Sequence, residues 1–244
     1  MTSVRVRALA ALLAAVPAAG VLVGVAPAQA ALNVTIKSVS LSKSAFVLSS
    51  KAGCTNVTAT AVLSAPMPTE GYTFSGVGVD VTPIADENTA VASVQFKQVG
   101  TSATYRGVFQ VCGKYAPGKY AATVYGVAVG DEVESTDGFT KILTIKRPSK
   151  VTLNASPEPV KKGKKITAKG TLKIDGKVLA GAKVQILFKK SGAKAYTVKA
   201  TVKTNSKGMY SKKFTATKTG TWKVAYAGNG TKAATSATDA VKVK

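Results

Sequence analysis

The sequence predicts an all-β protein in which two β-sandwich domains follow an export signal of bacterial type. Apolar and polar residues alternate with a period of two through most of the chain, and the alternating runs are rich in Val, Ile, Thr, Tyr and Phe. Gly, Pro, Asn and Ser bound these runs, as expected of strands joined by turns. No run shows the 3.6-residue period of an amphipathic helix. Removal of the first 30 residues leaves 214 of 244, which is enough for two ordinary domains.

The first 30 residues have the pattern of a secretory signal peptide. Arg5 and Arg7 give a positive start, an uncharged stretch covers 8–26, and Ala28-Gln29-Ala30 matches a small-x-small cleavage site. A transmembrane anchor is the competing interpretation, but the stretch is rich in Ala and Gly and is broken by Pro17. We expect cleavage after Ala30, a mature chain without a transmembrane segment, and a protein that is secreted, extracellular or associated with the cell wall.

The two cysteines, Cys54 and Cys112, agree with export. An even number of cysteines in an oxidising compartment predicts a disulfide bond. A reactive thiol is the alternative, but the chain has no histidine to act as its base. The pattern of strands does not decide whether the bond joins two sheets or holds a loop.

The spacing of the alternating runs predicts about seven strands in each half of the mature chain. The second half suits an immunoglobulin-like sandwich, because seven short strands with regular turn signals fit about 95 residues. The first half repeats the pattern less clearly. Strands are expected at 32–40, 56–64, 76–82, 91–98, 103–112, 119–128 and 139–146, and then at 151–155, 164–173, 183–190, 195–203, 209–216, 221–227 and 237–243.

Three segments of the second half carry a resemblance to a known class of domain. They are Ser156-Pro157-Glu158-Pro159-Val160-Lys161-Lys162-Gly163, Gly208-Met209-Tyr210-Ser211-Lys212-Lys213-Phe214 and Gly220-Thr221-Trp222-Lys223-Val224. Residues 150–244 resemble bacterial immunoglobulin-like domains, and most of all those in secreted proteins of actinobacteria. The resemblance implies a β-sandwich that serves as a spacer, an adhesion module or a wall-associated binding module. It implies no particular ligand, because these motifs describe a fold.

Charge divides the chain into two parts. Residues 31–146 carry 9 basic and 8 acidic residues, whereas residues 147–244 carry 23 basic and 3 acidic residues. We expect a disulfide-containing domain at 31–146, a linker at 147–150 around Pro148, and a lysine-rich domain at 151–244. The excess charge of the second domain forms one concentrated field that attracts anionic partners.

The basic residues of the second domain are lysines, with Arg147 as the one arginine. Because lysine is a hydrated point charge without a planar donor fork, a lysine field favours diffuse attraction to a polyanion over recognition of base edges. Strand alternation directs Lys169, Lys173, Lys183, Lys189, Lys199 and Lys203 to the solvent side of their sheets and Tyr196 to the apolar face. The others are expected at strand ends and turns, namely Lys161, Lys162, Lys164, Lys165, Lys190, Lys212 and Lys213. The candidate polyanion-binding residues are Lys161, Lys162, Lys164, Lys165, Lys169, Lys173, Lys183, Lys189, Lys190, Lys199, Lys203, Lys212 and Lys213. A merely soluble basic surface is the alternative.

Catalytic chemistry has few residues available. The absence of histidine excludes Ser-His-Asp and Cys-His nucleophiles and His-ligated zinc. A Ser-Lys dyad has no supporting signature. One acidic cluster remains, formed by Asp131, Glu132, Glu134 and Asp137. It is interpreted first as a solvated loop, then as a weak calcium site without the EF-hand spacing, and last as the carboxylates of a hydrolase. We therefore expect a protein that is not an enzyme and needs no cofactor.

These observations lead to three functional hypotheses. The first is a binding or structural protein whose second domain associates electrostatically with anionic envelope polymers such as teichoic acids; acidic phospholipids and extracellular nucleic acid are the rival polyanions. The second is a freely secreted module that binds or inhibits another protein. The third is a hydrolase that uses the carboxylates of the first domain. Salt-dependent retention on cells would separate the first hypothesis from the others.

Overall fold

A computed structural model describes residues 30–86 and 89–244. Within those ranges every regular element is a β-strand, so the predicted all-β class is confirmed. Residues 1–29 of the predicted signal peptide lie outside the described residues. In the described part of the chain, no helix is long and apolar enough to cross a membrane.

The chain forms two compact units. Unit 1 contains the described residues up to Phe46 together with Lys51–Ile145, and unit 2 contains Val47–Ser50 and Lys146–Lys244. The short segment Val47–Ser50 therefore joins the unit that is formed mainly by the C-terminal half, which the contiguous domains expected from the sequence do not anticipate.

Hydrogen bonds hold this segment in unit 2. The Leu48 amide donates to the Lys146 carbonyl at 2.9 Å, and Arg147 Nη1 donates to the Leu48 carbonyl at 3.0 Å. The Ser50 amide donates to Asp175 Oδ2 at 2.9 Å. Hydrogen bonds from the Ser49 and Ser50 side chains lower the pKa of Asp175 to about 2.

The strands of unit 1 are β1 (Ala30–Ala31), β2 (Ile36–Leu41), β3 (Ala45–Val47), β4 (Cys54–Leu63), β5 (Phe74–Pro83), β6 (Ala92–Gln95), β7 (Lys97–Gln98), β8 (Thr104–Cys112), β9 (Gly118–Val129), β10 (Val133–Ser135) and β11 (Phe139–Lys146). They form two sheets in which the long strands pair antiparallel. In the first sheet, β9 lies in the centre between β5 on one side and β10 and β11 on the other, with β6, β1 and β3 at the edges. The second sheet has the order β2-β4-β8-β7.

The predicted disulfide bond is present and joins Cys54 to Cys112. The two residues lie directly opposite each other, at the first position of β4 and the last position of β8. The bond therefore links neighbouring strands of one sheet. Neither alternative left open by the sequence, a link between sheets or a held loop, describes it.

Unit 2 is a sandwich of two antiparallel sheets. Its strands are β12 (Ser149–Val151), β13 (Asn154–Ser156), β14 (Lys165–Ile174), β15 (Lys177–Val178), β16 (Lys183–Lys190), β17 (Thr197–Lys203), β18 (Met209–Thr215), β19 (Gly220–Tyr226) and β20 (Thr235–Val241). In one sheet β14 lies in the centre, with β12 and β13 on one side and β15 and β18 on the other. The second sheet has the order β17-β16-β19-β20.

The core of unit 2 follows from the alternation in its central strands. Ile166, Ala168 and Leu172 of β14 are buried and face Val184 and Ile186 of β16 within one apolar cluster. The residues between them in sequence then project to the outer faces of the sandwich, because successive strand side chains point to opposite sides. This arrangement decides where the lysines lie.

Candidate functional site

The outer face of the β14 sheet is a lysine-rich surface of unit 2. Lys165, Lys169 and Lys173 project from alternate positions of β14 and are exposed. Lys150 of β12 pairs directly with Lys173, and Lys213 of β18 pairs with Thr167, so both belong to the same face. We call these five lysines the β14 face. One of them, Lys165, donates from Nζ to Thr215 Oγ1 at 2.8 Å.

The outer face of the second sheet carries a smaller lysine group. Lys183 of β16 pairs with Lys203 of β17, and Lys223 of β19 pairs with Leu187. Lys189 lies on the same side of β16 and holds its Nζ 5.1 Å from the centre of the Tyr196 ring, and Lys223 does so at 5.4 Å. The predicted Lys189 and the additional Lys223 therefore both lie beside the ring of Tyr196.

The remaining candidate lysines lie elsewhere in unit 2. Lys161, Lys162 and Lys164 are exposed in the turn that precedes β14, and Lys190 is exposed at the end of β16. Lys212 lies within β18 opposite the buried Ala168, on the inward side of an edge strand, although it remains exposed. The prediction that Lys212 and Lys213 crowd ends and turns is therefore wrong, because both lie inside a strand. Inward charge on an edge strand discourages pairing with another chain.

A β-bulge in β17 changes which residues of that strand face outward. Ile186 pairs with Ala200, whereas the next residue, Leu187, pairs with Val198, so Lys199 is an extra residue without a partner opposite. A shift of one residue moves every following side chain to the other face. Val198 is accordingly 49% exposed.

The bulge corrects two expectations from the sequence. Strict alternation assigned Tyr196 to the apolar face and Lys199 to the outer face of the sheet. Instead Tyr196 lies beside Lys189 and Lys223 on the outer face, whereas Lys199, although exposed as expected, lines a cleft at the end of the sandwich. A regular period of two contains no signal for the extra residue, so this difference could not be read from the sequence.

The three Asp and Glu residues of unit 2 lie outside the strand positions that form the two lysine faces. Asp239 Oδ2 accepts a hydrogen bond from the Ala155 amide at 2.7 Å, and its pairing with the buried Trp222 places it on the core side of β20. Asp175 lies in a turn, where its Oδ2 accepts a hydrogen bond from the Ser50 amide. Glu158 is exposed in the segment between β13 and the turn before β14. None of these three acidic residues lies in a strand of the β14 sheet.

The acidic cluster of unit 1 departs in part from the solvated loop that was expected. Asp131 and Glu132 are exposed in a tight turn, but Glu134 lies in β10, where Tyr72 Oη donates to its Oε1 at 3.0 Å. Asp137 follows that strand. In residues 30–86 and 89–244, no three or more His, Cys, Asp or Glu residues gather where they could hold a metal ion. Asp131, Glu132, Glu134 and Asp137 thus form no described calcium site.

The carboxylate of Asp80 in unit 1 is buried, and the sequence does not reveal its role. Asp80 of β5 is 8% exposed, accepts from Ser93 Oγ at 2.6 Å on one oxygen, and accepts from Tyr125 Oη at 2.9 Å on the other. Burial raises the pKa of Asp80, and the two hydrogen bonds oppose that shift. Since both oxygens have donors, the arrangement is that of a structural group within the sheet.

Comparison with known families concerns unit 2. A family model described as YtkA-like matches residues 146–227, all of which lie in unit 2. The similarity to YtkA-like proteins is confined to that unit. It agrees with the immunoglobulin-like type of domain expected there, and it gives no evidence of an actinobacterial origin. No curated protein matches the chain.

Several solved structures share a distant likeness with the chain. The three N-terminal domains of the highly immunogenic outer capsid protein of bacteriophage RB49 are 14% identical, with a TM-score of 0.36, over 86% of this chain and 71% of that one. The adhesin InvE of Yersinia pseudotuberculosis is 11% identical, with a TM-score of 0.32, over 86% of this chain and 58% of that one. The fibronectin(III)-like modules of Clostridium thermocellum CbhA are 18% identical, with a TM-score of 0.31, over 86% and 92%. At these scores the likenesses carry no functional argument.

Proposed function

We propose that this protein is a secreted, non-enzymatic binding protein whose unit 2 attaches electrostatically to anionic polymers of the cell envelope. The observation that carries the proposal is the β14 face, where five lysines occupy one side of one sheet and none of the unit's three carboxylates joins them. Attraction between such a face and a chain of phosphates adds many weak contacts, and each contact releases a counterion.

The chemistry of the face suits a flexible phosphate polymer better than a structured partner. Lysine contributes a point charge without fixed geometry, so it tolerates a polymer whose phosphates have no single arrangement. The direct pairing of Lys150 with Lys173 also places two positive charges next to each other, which disfavours the unbound surface. An anionic polymer relieves this repulsion when it binds.

The test is sedimentation of residues 31–244 with purified bacterial cell walls across a salt series. Wild-type protein is compared with a variant in which Lys165, Lys169 and Lys173 are changed to Gln. The matched control changes three exposed lysines of unit 1, Lys37, Lys97 and Lys119, to Gln, so that both variants lose the same charge. We expect the β14 variant to be released at lower salt and to show a shallower dependence on salt concentration, while the control stays close to wild type.

Two outcomes would contradict the proposal. If both variants lose binding equally, net charge alone matters and the β14 face has no special role. If wild-type protein does not sediment with walls at low salt, attachment to the envelope is wrong, and the alternative of a freely secreted module that binds or inhibits another protein takes its place. Walls stripped of teichoic acid show whether phosphate polymers are the ligand.

A further inference from the structure

An open cleft lies at one end of the unit 2 sandwich, between β16 and β17 of one sheet and the end of β18 in the other. It encloses about 430 Å³, which falls in the range of small-molecule sites. The strands β17 and β18 are edge strands of different sheets and do not pair with each other, so the sandwich is open here. None of the five lysines of the β14 face lines the cleft, although Lys165 of that face donates a hydrogen bond to Thr215, which does.

The floor of the cleft is aromatic. Phe188, Phe214 and Trp222 line it, with ring centres 4.9 Å apart for Phe188–Trp222 and 4.6 Å apart for Phe214–Trp222. Trp222 is only 5% exposed, whereas both phenylalanines are half-buried. Such a floor favours an apolar body that removes the accessible parts of these rings from water.

Lysines surround the mouth of the cleft. Lys190, Lys199 and Lys218 line it and are exposed, and the described lining residues include no carboxylate. The bulge in β17 is the reason that Lys199 takes part, because the extra residue moves Lys199 and Thr197 to the cleft side of the strand. Lys190 lies at the mouth because it is on the same inward-facing side of β16 as Ile186 and Phe188.

We propose that this cleft binds a small amphiphilic anion, with its apolar body on the aromatic floor and its carboxylate, sulfate or phosphate group among Lys190, Lys199 and Lys218. The charge at the mouth selects for an anion, and the floor selects for an alkyl or aromatic body. A polymer of hydrophilic phosphates has nothing to place on the floor. The cleft therefore serves a ligand of a different class from the polymer bound at the β14 face.

The single tryptophan of the chain provides the measurement. Because Trp222 forms part of the floor, its fluorescence reports occupancy of the cleft directly. The probes are octanoate, octanol and octylammonium, added to residues 31–244 below the concentrations at which they aggregate. We expect a saturable change with octanoate, a clearly weaker one with octanol and none with octylammonium. Equal responses to all three, or no saturable response to octanoate, would overturn the proposal.

Matched variants test the position of the site. Lys199→Gln removes a lysine at the mouth, whereas Lys203→Gln removes one on the same strand that does not line the cleft. We expect roughly two- to fivefold weaker octanoate binding for the first and no change for the second, as for an exposed ion pair. Ala195→Phe fills the cleft from an exposed position and is expected to abolish binding. Unchanged binding in Ala195→Phe with a wild-type urea midpoint would overturn the proposal.

The outcome is independent of the polymer experiment. The titration contains no wall material, so failure to bind walls leaves it unaffected. Salt also separates the two interactions, because contact with the aromatic floor is not screened whereas attraction to the β14 face is. Octanoate binding is therefore measured at the salt concentration that releases the protein from walls. If binding has disappeared there, the aromatic floor contributes nothing, and the cleft proposal alone is overturned.

Discussion

Lys183 and Lys203 lie directly opposite each other on the neighbouring strands β16 and β17. Like charges in direct cross-strand pairs are destabilising, because their side chains project from the same face only about 5 Å apart at Cβ. The other sheet repeats the arrangement with Lys150 and Lys173. Unit 2 thus carries local repulsion on both faces, which is consistent with surfaces that meet an anionic partner.

Reversing the charge of Lys203 is expected to stabilise unit 2. In Lys203→Glu, repulsion with Lys183 becomes attraction, which corresponds to about 0.2–1 kcal/mol in the free energy of unfolding at low salt. The gain should shrink as salt is added, because both side chains are exposed. Urea unfolding followed by Trp222 fluorescence measures it. Lys194→Glu, in the exposed connection between β16 and β17, is the control; an equal gain there would attribute the effect to net charge.

Most strands of the protein could be predicted because period-two alternation is a local signal. The expected strand at 103–112 is β8 at Thr104–Cys112, and the one at 119–128 is β9 at Gly118–Val129. The strands that the sequence did not reveal are short: β1, β3, β10 and β15 have two or three residues each. A segment of that length cannot display a period, and pairing with a longer neighbour defines it as a strand.

The candidate site was predictable only in part, for a related reason. Alternation correctly placed Lys169 and Lys173 of β14 on an outer face, because the pairing of that strand with β18 and β12 contains no bulge. The same rule failed in β17, where one extra residue exchanged the faces of Tyr196 and Lys199. The cleft at the end of the sandwich depends on that exchange and on the meeting of two sheets, neither of which is local in sequence.

Loss of the disulfide bond is expected to destabilise unit 1. The bond joins residues 58 positions apart and links β4 to β8 within that unit. Changing both Cys54 and Cys112 to Ser should lower the free energy of unfolding of unit 1 by about 2–4 kcal/mol. Far-UV circular dichroism follows both units in urea, whereas Trp222 fluorescence follows unit 2. We expect the circular dichroism midpoint of unit 1 to fall while the fluorescence midpoint stays fixed; a shift of both would contradict the assignment of the effect to unit 1.

Gly170 is expected to tolerate no side chain. A Cβ at this position of β14 would overlap the Thr152 carbonyl oxygen and lie 2.7 Å from Tyr210 Oη. Tyr210 Oη donates a hydrogen bond to that same carbonyl oxygen, so these two groups already fill the space that the Cβ would take. Gly170→Ala should destabilise unit 2 by about 1–3 kcal/mol, as overpacked substitutions do. Gly230→Ala, whose Cβ meets nothing within 4 Å, is the matched control in urea unfolding followed by Trp222 fluorescence.

The buried carboxylate of Asp80 is expected to make the stability of unit 1 depend on pH. Burial raises the pKa of Asp80 above its ordinary value of 3.8, so the folded state holds the proton more tightly than the unfolded state does. This contribution to stability is fully present below pH 3.8 and is lost as the pH rises through the raised pKa. Asp80→Asn removes the dependence while its amide can still bond to both the Ser93 and Tyr125 hydroxyls.

The stability of Asp80→Asn relative to wild type should therefore increase with pH. At pH values below the ordinary pKa the two proteins are expected to have similar unfolding midpoints, and at neutral pH Asp80→Asn should be the more stable, because it has no buried charge to desolvate. Circular dichroism in urea from acid to neutral pH measures the difference. Asp131→Asn, at an exposed turn of the same unit, is the control and should show no such trend. If Asp80→Asn is less stable at every pH, the hydrogen bonds from Ser93 and Tyr125 to the ionised carboxylate outweigh the cost of its burial.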